Sequence, residues 1–131
     1  MGQRIDSLQQ SFYLAVKNIY TAFQERGEAE TFVAKDTFGN EMAQVLLLNS
    51  NKRLLFFFSA SNDEARNCGA MHFVIDQIIQ QYCEKQEVFD FEGSNDKNLA
   101  FFYTGFGGTE QVYLHGRFSK FPKSFQRILK L

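Results

Sequence analysis

Five consecutive apolar residues, Leu54 to Phe58, constrain the fold more than any other part of the sequence. Turn-forming residues precede the run at 49–51 and follow it at 61–63, which indicates a short strand and not a helix. Because both faces of such a strand are apolar, we expect it to lie inside a sheet, between two covering layers. A chain of 131 residues with 16 Phe and no Trp then predicts one domain with a phenylalanine-rich core.

The segments around this run predict a layered fold of helices and strands. Thr31–Lys35 and Met42–Leu48 alternate apolar and polar residues around a turn, so they indicate an antiparallel hairpin. Apolar residues spaced by three and four predict an opening amphipathic helix and a second helix between the central strand and Lys85. The other predicted elements are strands and a short helix, with bounds Val88–Phe91, Asn98–Thr104 and Gln111–Phe118. The expected order is α-β-β-β-α-β-α-β.

Charge and cysteine content limit the kinds of function to expect. A formal charge of -1 and a pI near 6.1 argue against a dedicated nucleic-acid-binding protein. Cys68 and Cys83 are expected in one helix, 15 positions apart and beyond disulfide reach, which indicates reduced thiols in a cytoplasmic protein. The N-terminal residues show no signal peptide, and no apolar run is long enough to span a membrane. His72 and His115 form no metal-ligand pattern, so we expect no metal and ordinary polar roles for both.

An acidic corner follows the strand at Val88–Phe91. Asp90 and Glu92 alternate with two phenylalanines, and residues 93–96 (GSND) supply a turn. Ligand crevices in open α/β sheets form at the carboxyl ends of strands, where a partly apolar setting can prepare a carboxylate to act as a base. Capping of the turn, or simple exposure to water, is the alternative and the commoner role. The residues alone leave both interpretations open.

The segment Ser59–Met71 is a second candidate site. A glycine with small neighbours early in a helix, here Gly69 and Ala70, lets a phosphate approach free backbone N–H groups, and Arg66 would add a charged contact. The alternative is that the small residues only permit close packing of the helix on the sheet. Tyr103 and Tyr113 carry phenols that could protonate a leaving group, although a tyrosine at the end of a core layer is more common.

The C-terminal segment is basic and apolar at once. Its cationic and apolar residues would allow contact with a membrane or a nucleic acid, but a solvated helix that docks on the domain is favoured by the balanced overall charge. The residues concerned are Arg117, Lys120, Phe121, Lys123, Phe125, Arg127, Ile128, Leu129 and Lys130. We therefore expect neither DNA nor a membrane as a partner.

Two segments, FFFSASNDEARNCGAMHFVIDQII and FDFEGS followed by LAFFYTGFG, resemble the GNAT-like acyltransferase superfamily and most closely its FemAB-like branch, found in many bacterial proteins. The resemblance covers about residues 31–118. It implies an α+β fold in which a central, mixed but largely antiparallel sheet is flanked by helices. No strand is evident before the opening helix, so residues 1–131 are expected to form a single GNAT-like domain that lacks the first strand. We expect a partial or C-terminal domain of a longer protein.

The resemblance also implies roles for particular residues. Backbone groups of Ser59, Ala60 and Ser61 would hold the pantetheine arm of acetyl-CoA or another acyl-CoA. The pyrophosphate would lie on Arg66, Asn67, Gly69 and Ala70, which nearly fit the superfamily's (Gln/Arg)-x-x-Gly-x-(Gly/Ala) loop, with Met71 at the last small position. The position of the usual tyrosine acid is occupied by Phe101, which leaves Glu92 as the candidate base and Tyr103 as a substitute acid.

The implied activity is transfer of an acyl group from acyl-CoA to an amine by direct attack. An aminoacyl transferase of the FemAB type, acting on a cell-wall precursor, is one alternative, and a catalytically silent binding or oligomerisation module is another. The departures at Met71 and Phe101 favour the silent module. Because an incomplete sheet exposes an edge, we also expect a homo-oligomer or a companion GNAT-like domain.

Overall fold

The computed structural model describes residues 8–85, 88–93, 96–112 and 114. These residues form an α+β fold in which helices flank one four-stranded sheet of order β1-β2-β3-β4. The β1–β2 and β2–β3 pairs are antiparallel and β3–β4 is parallel, which confirms the expected mixed, largely antiparallel sheet. The elements are α1 Leu8–Gln24, β1 Ala29–Lys35, β2 Glu41–Ser50, β3 Arg53–Ser61, α2 Asp63–Cys68, α3 Ala70–Tyr82, β4 Val88–Asp90 and α4 Lys97–Thr104.

The apolar run lies in β3, an interior strand with a layer on each face. Leu54 and Phe56 point into the core, which is completed by buried residues of α3. On the opposite face, the ring of Phe58 lies 6.3 Å from Phe12 and 6.0 Å from Tyr13 of α1. The predicted central position and the two covering layers are therefore confirmed.

The hairpin between β2 and β3 is set by a two-residue turn. Asn51 and Lys52 both have positive φ, 51° and 62°, while Ser50 pairs with Arg53. This left-handed turn matches the natural twist of the flanking strands, so it fixes their register. It also explains why, towards the turn, β2 runs two residues and β3 one residue beyond the apolar patterns that predicted them.

The long helix expected after the central strand is wrong, because the chain forms two helices. Gly69 takes a left-handed conformation, with φ 72°, and its N–H donates to the Ala65 carbonyl to close α2. Glycine adopts this conformation without the clash of a Cβ, so α3 can start in a new direction. Cys68 and Cys83 consequently lie on either side of the break, and both are free thiols.

The end of the sequence differs from expectation where the structure describes it. Gln111, Val112 and Leu114 form no strand. The rest of the predicted last strand, including Tyr113 and His115, lies outside the described residues, as does the basic segment 117–130. The first residues of the predicted opening helix also lie outside them, and α1 begins at Leu8.

A hydrogen bond between Tyr82 and Glu30 ties α3 to β1 and predicts a loss of stability at high pH. The Tyr82 hydroxyl donates to the Glu30 carboxylate, and burial, followed by this contact, raises the pKa of Tyr82 from 10 to about 12. The unfolded chain releases this proton near pH 10 and the folded protein only near pH 12. The free energy of unfolding should therefore hold below pH 10 and fall by about 2 kcal/mol as the pH rises to 12.

Urea unfolding between pH 8 and 12 measures this dependence. Tyr82→Phe should remove that part of the decline, whereas Tyr20→Phe, which removes the hydroxyl bonded to Thr31, should leave it in place. An equal slope in the wild type and the Tyr82→Phe variant would contradict the assignment.

Candidate functional site

Strand β3 extends past its parallel neighbour. The β3–β4 pairing runs only from Arg53–Val88 to Leu55–Asp90, while β3 continues to Ser61. Over this extension Ser59, Ala60 and Ser61 pair with β2. Within the described part of the chain they have a strand partner on that edge alone. Their other edge, with which no described strand pairs, is where the pantetheine arm was expected.

The expected phosphate-binding loop is a short helix followed by a sharp turn. The Asn62 side chain caps α2 by accepting a 2.7 Å hydrogen bond from the Ala65 N–H. Arg66 and Asn67 therefore lie within α2 and not in an irregular loop, which corrects the expectation. The Asn62 cap stabilises the start of α2, so the polar segment 63–68 forms a separate helix.

Helix α3 begins at Ala70 with no side-chain cap. The first N–H groups of a helix have no acceptor within their own helix, and its dipole favours an anion at this end. The Gly69 Cα faces open space, since a Cβ built there would meet nothing within 4 Å. Met71, at the position where the superfamily has a small residue, packs against the hydrophobic core. Gly69 thus leaves open space beside the start of α3, although its own N–H is bonded to the Ala65 carbonyl.

Arg66 is exposed and lies 3.3 Å from the Asp63 carboxylate. An exposed ion pair of this kind stabilises a protein by only about 0 to 1 kcal/mol. Arg66 can therefore exchange Asp63 for a more highly charged anion without a large loss of stability.

At the acidic corner the two carboxylates have different roles. Asp90 accepts a 2.6 Å hydrogen bond from the Arg53 guanidinium and a 2.8 Å bond from the Glu92 N–H. It therefore holds β3, β4 and the turn together, and the expectation that it could act as a base is not supported. Glu92 is exposed, and its φ of 62° is left-handed. This conformation costs an L-residue about 1–2 kcal/mol, and such strain is often found at functional sites.

Five rings connect the corner to the start of α3, and we call them the aromatic bridge: His72, Phe91, Phe102, Tyr103 and Phe106. Phe91 stacks on Tyr103, with ring centroids 4.4 Å apart and planes 20° apart. His72, in the first turn of α3, lies 4.6 Å from the Phe102 ring. The bridge brings Glu92, Tyr103 and the N terminus of α3 to one end of the sheet.

Tyr103 is the phenol that belongs to this site. Burial among the rings raises the pKa of Tyr103 above its ordinary value, so its hydroxyl stays protonated at neutral pH. Phe101 is 81% exposed on α4 and is not among the rings of the bridge.

His72 was expected to be an ordinary polar position, but it lies in the aromatic bridge. The usable signal was spacing, since His72 follows Gly69 by one helical turn.

The described residues contain no cluster of His, Cys, Asp or Glu that could hold a metal ion. None of the described helices has the length and apolar character required to cross a membrane.

Comparisons with known proteins give one structural likeness. No protein-family model matches the chain, and no curated protein matches it. A solved structure, that of an aminoglycoside antibiotic 6'-N-acetyltransferase from Acinetobacter baumannii, is similar with a TM-score of 0.47 and 14% sequence identity. The likeness covers 90% of this chain and 95% of that chain. No residue of the candidate site is assigned from it.

Proposed function

We propose that the protein is an N-acyltransferase that transfers an acyl group from acyl-CoA to an amine. The observation that carries this proposal is the uncapped start of α3 at Gly69, which follows the open extension of β3 and is joined to the Glu92 corner by the aromatic bridge. An anion site, an open strand edge and a carboxylate thus lie at one end of the sheet. The resemblance of the two quoted segments to GNAT-like proteins supports the same function.

Binding would use the backbone more than side chains. The open edge of β3 at Ser59–Ser61 offers N–H and C=O groups to the amides of the pantetheine arm. The pyrophosphate would lie on the backbone N–H groups at the start of α3, from Ala70 onward, with open space at Gly69 and with Arg66 and Asn67 beside it. An acyl-CoA co-substrate and two free cysteines fit a cytoplasmic protein.

The chemistry would be a direct transfer. The acceptor amine attacks the thioester carbonyl carbon, so that a C–N bond forms and the C–S bond breaks. Glu92 takes a proton from the amine nitrogen, directly or through water, and the Tyr103 hydroxyl gives a proton to the leaving thiolate. Most of the acceleration would come from holding the two reactants together, which requires little of the protein beyond correct positioning.

Calorimetric titration with acetyl-CoA tests the binding half of the proposal. Wild-type protein should bind, and Gly69→Glu should weaken binding by at least about tenfold, because it places a negative charge beside the pyrophosphate. Gly27→Glu is the matched control, since Gly27 has a φ of 71° and equally open space but lies between α1 and β1. Absence of binding at millimolar acetyl-CoA would overturn the proposal and favour a catalytically silent module.

Aminoacyl transfer of the FemAB type, with a cell-wall precursor as acceptor, is the alternative within the same class. It would need a companion domain, and the outer edge of β1, with which no described strand pairs, is a surface that such a domain could occupy. A product assay with acetyl-CoA and simple amines separates the two, because a FemAB-type enzyme forms no acetylated product from them.

A further inference from the structure

Within the described residues, no strand covers the outer edge of β1. β1 and β4 form the two opposite edges of the sheet, and the acidic corner follows β4. β1 pairs with β2 on one side, and no described strand pairs with the other. A groove of about 510 Å³ lies between this edge strand and α3. Its lining contains no charged residue and consists of Phe32, Val33, Ala34, Phe73, Val74, Gln77, Gln80 and Gln81. The groove is therefore unsuited to a phosphate, a nucleic acid or a charged metabolite.

As far as the described ranges 8–85, 88–93, 96–112 and 114 extend, strand β1 lacks the usual protection of an edge strand. Proteins generally prevent edge pairing with charged residues, proline or a covering loop. The central residues 31–34 (TFVA) contain neither a charge nor a proline, and the one bulge of the β1–β2 ladder lies at the end, between Ala34 and Lys35. Glu30 is held by the Tyr82 hydroxyl. The middle of the strand is thus free to form a backbone ladder.

We propose that a second copy of this chain occupies the edge, with the β1 strands of the two copies paired antiparallel across a two-fold axis. The axis stands perpendicular to the sheet, so both copies keep α3 on the same face. The result is one continuous sheet of eight strands, and it removes the exposed edge from each copy. This dimer does not depend on the proposed acyl transfer.

The position of α3 favours a second copy over a simple extended peptide. α3 packs over both β1 and β2, so it is set back from the edge by about half a strand spacing. Neighbouring strands lie about 4.8 Å apart, which would place the two α3 axes about 10 Å apart across the pair. This matches the 8–10 Å at which helices pack directly, so each helix would fill the groove of the other.

The facing surfaces of α3 are also self-complementary. Phe73, Gln77, Gln80 and Gln81 recur at intervals of three and four and share one face of the helix. Phe73 is 61% exposed, although large apolar side chains gain most from burial. A glutamine amide both donates and accepts, so Gln77 and Gln81 can pair with like residues across a two-fold axis without repulsion, while Gln80 donates to the Asp76 carboxylate at 2.6 Å.

Sedimentation equilibrium of the 131-residue chain over a range of concentrations tests the proposal. The wild type should dimerise, and the double variant Gln77→Lys, Gln81→Lys should weaken the dimer by at least about tenfold, because like charges then meet across the axis. Lysine suits an exposed helix, and circular dichroism confirms that the variant is folded. Gln111→Lys makes the same change at an exposed residue beyond α4 and should have no effect.

Disulfide cross-linking locates the interface independently. Single cysteines at Thr31, Phe32 and Val33, in a Cys68→Ser, Cys83→Ser background, should give a covalent dimer on mild oxidation at the position nearest the axis. Directly opposed residues of antiparallel strands have Cα atoms about 4.5–5.5 Å apart, within disulfide reach. A monomer at every concentration would overturn the proposal and indicate that the edge is covered in another way. A dimer that resists the double lysine change and does not cross-link through β1 would overturn it too.

Discussion

Replacing Phe56 with alanine is expected to lower the free energy of unfolding by about 3–5 kcal/mol, the usual cost of removing a buried aromatic ring. Phe56 is 6% exposed and contacts both the aliphatic core and the rings of the corner. Its centroid lies 5.7 Å from Phe91 and 6.1 Å from Tyr103. The cavity would therefore open where the sheet core meets the candidate site. Thermal unfolding should shift downward by about 10 °C or more.

The control for this prediction is Phe38→Ala in the turn between β1 and β2. Phe38 is 89% exposed, so the same truncation removes little buried surface and should change stability by less than about 0.5 kcal/mol. Denaturant unfolding of both variants measures the difference. A loss below about 1 kcal/mol for Phe56→Ala would show that the corner does not share the core of the sheet.

Replacing Glu92 with glutamine is expected to reduce the kcat of acetyl transfer by about 100-fold, the typical effect of losing a general base. The change keeps the shape of an exposed side chain, so the fold and the Asp90 hydrogen bond to the residue 92 N–H should persist. The KM for acetyl-CoA should stay unchanged, because the proposed coenzyme site lies at Gly69 and Ala70. A steady-state assay with a simple amine acceptor separates the two constants.

Glu110→Gln provides the matched change at an exposed carboxylate beyond α4 and should leave kcat unaltered. A kcat for Glu92→Gln within about threefold of the wild type would remove Glu92 from the mechanism. Catalysis would then rest on positioning of the two reactants alone.

Much of the sheet could be predicted from the sequence, because the signals for its strands are local. Each strand's pattern of apolar residues reflects which of its faces meet the core, as in the apolar run at Leu54–Phe58 and the alternating residues of β1 and β2. The structure has these three strands in the same order. The α2–α3 break could not be placed from the apolar pattern, since the positions of Val74 and Ile78 fit a longer helix equally well. Only the left-handed conformation of Gly69 ends α2, and that depends on how α3 docks on the sheet.

Individual residues of the candidate site could be predicted from the sequence, but the contacts between them could not. Gly69, Ala70 and Glu92 were identified by type and spacing, yet nothing local shows that His72 meets Phe102 across two elements. The separate roles of Asp90 and Glu92 were equally hidden. Their alternation looks the same in the sequence, and only the parallel pairing of β3 with β4 brings Arg53 to Asp90.

The parallel β3–β4 pair differs from the other two strand pairs in sequence separation, because it joins residues that lie far apart in the chain. Tight turns join β1 to β2 and β2 to β3, so these pairings bring together residues that are close in sequence. Leu55 and Asp90 pair across 35 positions, the difference of their residue numbers, and α2 and α3 lie between them in the chain. Contacts between distant residues form more slowly than local ones. The three-stranded meander of β1, β2 and β3 can therefore form early during synthesis, and the corner that carries Glu92 joins it later.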